Sequence, residues 1–263
     1  MKIDSYLSGV LLVVGTDILT ILGLVAVRRF LRSTGRLTDH DVGGSLFQVA
    51  GTMYAVNLGL IVVDAMDRFH EASRTTASEA SALANLIMLS NGLGPEARGR
   101  IQACASAYAD RVVDDEWPVM DLGRHAPEAR AAGVRLITTV TSFEPKGERE
   151  QAIYASMLTA AGELWNARRQ RTSRGVNAVP ALEWVVLIGG GVVTVVFTYF
   201  FRLRQWRTQV AMTSMVSTVI ALNIYLVLMF GYPYSGDLKV SPDGFVVAKS
   251  IIEHPAVARA ASP

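Results

Sequence analysis

Polar and apolar positions fall in long blocks along this chain. Four windows, at residues 7–27, 45–63, 184–201 and 210–230, are apolar and nearly free of charge. Each is close to the ~20 residues a helix needs to cross ~30 Å of hydrocarbon. An open strand would leave backbone groups unpaired in lipid, so helices are expected there. The pattern predicts an all-α polytopic membrane protein with four transmembrane helices. They form two hairpins, in residues 1–66 and 182–231. The first window is preceded by both Lys2 and Asp4 and runs on to Arg28 without a small-residue cleavage signal. It is therefore predicted to be a retained span and not a leader.

Residues 67–181 read differently. Residues 67–91 are polar and alanine-rich without a breaker, so the helix of the second span is expected to continue out of the membrane. Residues 92–95 predict a turn, with Pro95 opening the next helix. That helix carries an apolar stripe of Ile101, Cys104, Ala105, Tyr108 and Val112, and Pro118 is expected to end it. Further helices are predicted over 127–143 and 148–171, the last with a stripe of Ile153, Met157, Ala160, Ala161 and Leu164. One apolar face on each predicts a soluble helical bundle. Residues 232–263 predict a Gly/Pro-rich turn, a short helix and a disordered tail from about His254.

Composition agrees with this picture. The 263 residues are 51% hydrophobic and only 18% charged, against about 25% charged in soluble domains. A net charge of +2 is too mild to argue for nucleic acid. Cys104 stands alone, which excludes an intramolecular disulfide. The short loops hold seven basic residues: Arg28, Arg29, Arg32 and Arg36, then Arg202, Arg204 and Arg207. The opposite side holds eight: Lys2, Arg68, Arg74, Arg168, Arg169, Arg171, Arg174 and Lys239. Weighting short loops would place the bundle outside. The arginines at 168–174, next to the third span, offset this and lean the bundle towards the cytoplasm. Tyr6, Trp184, Tyr232 and Tyr234 are expected to form an aromatic belt at one interface.

Few residues carry candidate chemistry. Asp17 lies mid-span between Thr16 and Thr20, where a carboxylate costs roughly 3 kcal/mol and is normally turned inward or paired. It reads either as part of an ion or proton pathway or as a hydrogen-bonded link between helices. Asn57, Ile61, Asp64, Arg68 and Glu71 share one face of the second helix. They could line a pore or form an inter-helix network. Asn223 is expected at similar depth, within reach of Asn57 or Asp17. Gly51, Ala55 and Gly59 form a small-residue packing face, as Gly189, Gly190 and Gly191 do in the third span. Gly231 falls outside the spans and is expected to tolerate a larger side chain. Asp114, Asp115 and Glu116 read as a solvated helix end or, less simply, a hard-cation site. His40, His70, His125 and His254 show no metal-ligand spacing, and no P-loop, G-x-S-x-G or H-E-x-x-H occurs. Neither an enzyme nor a bound cofactor is expected.

Three stretches carry a resemblance. They are residues 48–56 (QVAGTMYAV), 108–120 (YADRVVDDEWPVM) and 233–245 (PYSGDLKVSPDGF). Their most specific residues are Glu116, Trp117 and Pro118, then Pro233 to Gly236. The chain resembles the bacterial bestrophin-like domain family over nearly its whole length. The resemblance implies kinship with bestrophins, pentameric anion channels with two plus two spans and a cytosolic helical region. It therefore implies a homo-oligomer in the cell (inner) membrane that conducts ions, anions by that kinship alone. The aromatic neck of true bestrophins has no match, since Leu58, Ile61 and Asp64 stand there. A ring of Asp64 would favour cations. The other reading is a membrane-anchored interaction or signalling module without transport.

Overall fold

The computed structural model describes residues 6–34, 40–120, 124, 126–175, 179–200 and 205–253, without the side chains of 31–47, 174 and 175. The tail from His254, His125, Lys2, and the side chains of Arg32, Arg36, Arg174, Arg202 and Arg204 therefore lie outside the described residues. The elements of the described residues are all helical: α1 (Tyr6–Thr34), α2 (His40–Ser90), α3 (Pro95–Asp110), a π-helical turn (Arg111–Glu116), α4 (Trp117–Met120), α5 (Pro127–Thr141), α6 (Glu148–Gly175), α7 (Ala181–Phe200), α8 (Trp206–Gly231) and α9 (Asp243–Glu253). It divides into two compact units, and α2 contributes to both, with the break at Arg68 and Phe69.

The first unit holds α1, the first part of α2, α7 and α8. Four of its helices are long and apolar enough to cross a membrane. Only 11% of the most apolar window of α1 is buried inside the chain. Val10, Leu19, Met53, Leu60, Val193 and Met215 point outward, so this surface needs lipid or another apolar partner to cover it. A small core of Leu58, Ala65, Leu187 and Val227 joins α2, α7 and α8.

Two contacts show how these helices lock. A side chain at Gly190 would collide with the ring of Tyr54 on α2, and the Tyr54 hydroxyl donates to the Leu187 carbonyl at 2.9 Å. A Cβ on Gly23 would lie 2.7 Å from the Tyr199 hydroxyl, which donates to the Thr20 carbonyl at 2.9 Å. In both pairs glycine admits the ring and a carbonyl on the same helix satisfies the phenol, as a buried tyrosine requires. Gly189 meets nothing within 4 Å. Gly190→Leu should therefore abolish folded protein while Gly189→Leu is tolerated, read by monodisperse yield in detergent; equal yields would refute this packing role. Gly231 corrects an expectation. A Cβ there would lie 2.5 Å from Val179, so the position is closed although it ends the span.

The second unit holds the rest of α2, α3 to α6 and α9. Its core joins Leu83, Leu86 and Ile87 of α2 to Ile101, Ala105 and Tyr108 of α3, Leu136 of α5, Met157 and Leu164 of α6, and Phe245 of α9. Both predicted stripes are buried, with Cys104 and Ile153 only partly so. Pro118 does not end its helix. The turn before it widens, and the Trp117 amide donates to the Val112 carbonyl five residues back. Proline has no N–H to place and would crowd the carbonyl four residues back in a regular α-helix. The π turn accommodates both effects and lets the chain continue to Met120.

Candidate functional site

The polar stripe on α2 lies in the first unit up to Arg68. Asn57 and Asp64 are exposed, whereas Ile61 and Arg68 are half-buried. Ile61 packs on the small core. The Arg68 guanidinium donates to Asp64 at 2.6 Å and to Glu183 on α7 at 3.0 Å. These three groups leave one net negative charge. The Asp64 side chain is 50% exposed, so that charge is presented outside the chain. Gly51 and Gly59 meet nothing within 4 Å, and Ala55 is exposed. Gly51 lies at the edge of a cleft against Val186, Val193 and Phe197 of α7, while Ala55 and Gly59 face outward.

Asp17 is elsewhere, on the contact of α1 with α8. Its Oδ2 accepts from Thr218 at 2.8 Å, while its Oδ1 is buried without a hydrogen-bond partner. One turn on, the Thr20 and Ser217 hydroxyls bond at 2.9 Å. Asn223 joins neither Asp17 nor Asn57, contrary to expectation. Its amide donates to Val219 on its own helix at 2.8 Å. A side-chain amide bonding its own preceding turn gains a partner without crossing to another helix.

The second unit contains a charged cluster that the stripes did not reveal. Arg168 of α6 grips Glu116 with both terminal nitrogens, at 2.9 and 2.7 Å. Arg171, one turn further, donates to Glu79 of α2 at 2.6 and 3.0 Å and to Glu116 at 2.7 Å. The Tyr108 hydroxyl donates to Glu79 and accepts from Arg168 at 3.1 Å. The ring of five side chains is thus closed, and Glu79, Glu116 and Arg171 are wholly buried. Two carboxylates face two guanidinium groups, so the cluster is neutral. Burial opposes the charge on Arg171, but Glu79 and then Glu116 outweigh it and hold its pKa well above the usual value. Burial, reinforced by the neighbouring Glu79 carboxylate, pushes the Tyr108 hydroxyl upward, so it remains a donor.

This overturns the solvated-end reading for Glu116, while Asp114 is exposed as that reading expects. Asp115 pairs with Arg111 at 2.8 Å, and the π turn rotates Glu116 into the core. No cluster able to hold a metal occurs among the described residues. The cluster also removes Arg168 and Arg171 from the charges free to set topology, so the lean towards the cytoplasm loses that support.

Residues from two of the three stretches that carry the resemblance, Glu116, Trp117 and Phe245, meet Arg171. Its guanidinium lies 5.2 Å from the Trp117 ring centre and 5.9 Å from that of Phe245. Trp117 meets Tyr234 edge to face at 5.7 Å and donates from Nε1 to the Val240 carbonyl at 3.2 Å. Val240 in turn donates to the Pro233 carbonyl at 2.8 Å. Gly236 has φ +76°, a backbone state that only glycine adopts freely. Tyr234 is therefore a core residue, not a member of an interfacial belt. Pro118 and Pro233 shape the backbone on either side of the Trp117–Tyr234 contact.

Four apolar spanning helices and a separate helical bundle with a neutral buried ion cluster define a multi-pass membrane protein of the two-plus-two type. A sequence model of the Bestrophin-like domain matches residues 15–245, and the chain belongs to this family. No curated protein shows significant sequence similarity. Among solved structures, a variant of a bacterial Bestrophin homolog from Klebsiella pneumoniae aligns with TM-score 0.71 at 13% identity, over 94% of this chain and 99% of that one. The same homolog solved by zinc phasing aligns with TM-score 0.68 at 15% identity, over 93% and 96%. Such low identity carries the fold and not the side-chain chemistry.

Proposed function

We propose that this chain forms a homo-oligomeric ion channel of the cell (inner) membrane, with α2 lining the pore. The observation that supports it best is the exposure of α2 on two opposite sides: Asp64 and Asn57, which lines a cleft with Val186 and Val193 of α7, on one, and Ala55 and Gly59 on the other. Polar groups at membrane depth are costly against lipid, so they belong beside water or another protein surface. A small-residue face allows close approach of a second helix. Copies of α2 around an axis would satisfy both demands. One unit of four spans is too small to enclose a path alone. Membership in the bestrophin-like family agrees with this reading. The net negative charge of Asp64, Arg68 and Glu183 argues for cations over the anions that kinship suggests.

Flux assays on purified protein in liposomes test the proposal. Uptake of a monovalent ion above protein-free vesicles is expected. Silence towards chloride, sodium and potassium would leave the anchored-module reading, which a single stoichiometric partner in pull-downs would then support. Assembly gives a separate check. Gly51→Leu or Gly59→Leu meets open space within one chain, so folding is expected to survive while size exclusion in mild detergent shifts from oligomer towards monomer. An unshifted profile removes this face from the subunit contact.

A further inference from the structure

The second unit carries a half-open cleft of about 550 Å³, lined by Glu116, Pro127, Arg130, Trp165, Arg168, Arg169 and Thr172 among others. Ligand sites for small molecules usually fall between ~300 and ~1,000 Å³. Its charges do not balance. Glu116 is spent on Arg168 and Arg171, inside a cluster that is already neutral. Arg130 and Arg169 are exposed and make no ion pair among the described residues. Two guanidinium groups thus stand uncompensated at one opening. Glu128, in the first turn of α5, does not line the cleft.

Two further features suit the same chemistry. The N-terminus of α5 lies at the cleft, and its N-cap Ala126 supplies no side-chain cap. That end adds positive potential, offset in part by the Glu128 carboxylate of the same turn, and Pro127 contributes no N–H. Trp165 on α6 is only partly buried and offers an apolar flank. Arg168, fixed by Glu116 and Tyr108, forms a rigid wall beneath. We propose that this cleft binds a small organic oxyanion, a phosphate or carboxylate ester-sized molecule, with the anion on Arg130 and Arg169 and a planar or apolar body against Trp165. Guanidinium forks match both oxyanions. The site is independent of whether the protein conducts.

Calorimetry on the full chain in detergent, with phenyl phosphate, benzoate, inorganic phosphate and phenol as probes, tests it. Phenyl phosphate or benzoate is expected to bind, inorganic phosphate more weakly and phenol not measurably. R130Q/R169Q should weaken the aromatic anion by about tenfold or more, as loss of charge-assisted hydrogen bonds implies. W165L should weaken phenyl phosphate but not inorganic phosphate. R135Q, an exposed arginine of α5 away from the cleft, should change nothing. Melting of each variant guards against misfolding; if R130Q/R169Q does not fold, W165L and competition by inorganic phosphate decide. The proposal is overturned if neither aromatic anion binds, if R130Q/R169Q binds as well as wild type, or if R135Q loses as much.

Discussion

Arg171→Met is expected to cost about 3–5 kcal/mol, the range for removing one partner of a buried ion pair. Domains are stable by only about 5–15 kcal/mol, so the variant should express poorly or melt far below wild type. The reason is specific. Arg171 is wholly buried and is held by both Glu79 and Glu116. Without it, one guanidinium remains for two carboxylates; Arg168 bonds Glu116, and Glu79 keeps only the Tyr108 hydroxyl. Arg171→Lys should recover part of the loss, since an ammonium restores charge but cannot bridge both carboxylates in the plane of a fork. The decisive comparison is Glu79→Met with Arg171→Met. That pair removes one charge of each sign and leaves Glu116 with Arg168, so it should melt above Arg171→Met alone. Far-UV circular dichroism melts in detergent would measure this. A double variant less stable than the single would show that the cluster does not act through charge balance.

The same cluster shows where sequence reading succeeded and where it stopped. The four spans and the bundle stripes were legible because hydrophobic periodicity follows helix geometry directly. The carriers of the resemblance were visible too, though not their convergence on Arg171. By position beside the third span, Arg168 and Arg171 count as free membrane-side charge. Yet they continue the α6 stripe at the helical spacing from Leu164, four and then three residues on, and that continuation was the available signal. Glu79 likewise falls four residues before buried Leu83 on α2. A charge on an apolar stripe is either solvated at its end or paired inside, and one helix alone does not say which. Glu116 was hidden for another reason. A π turn inserts a residue into the helical count, so the phase read from Ile101 to Val112 no longer holds at Glu116. For Gly231 and Tyr234 hydropathy marks only the span end, while their surroundings come from residues distant in sequence, Val179 and Trp117.

Asp64→Asn should shift ion selectivity towards anions by several-fold while leaving the chain folded. Arg68 bonds both Asp64 and Glu183, so the substitution leaves the guanidinium with a carboxylate partner. The lost contact is an exposed i,i+4 pair, worth only about 0.3–0.5 kcal/mol. In the proposed oligomer the electrostatic consequence is larger, because it repeats in every subunit. Each trio of Asp64, Arg68 and Glu183 passes from one net negative charge to none, and a ring of such sites stops concentrating cations. Asp64→Arg should go further, to one net positive charge per subunit. Reversal potentials in bilayers with a salt gradient would read the series, with wild type, Asn and Arg expected in that order from cation to anion preference. Raised ionic strength should shrink the differences, since exposed charges are screened within ~10 Å at ~0.1 M salt. Conducting channels with the same reversal potential in all three would exclude Asp64 from the permeation path and move the pore away from this face of α2. Arg68→Met provides the contrast. It strips a half-buried partner from Glu183, so it should reduce folded yield as well as alter selectivity, and only Asp64 variants separate the two effects.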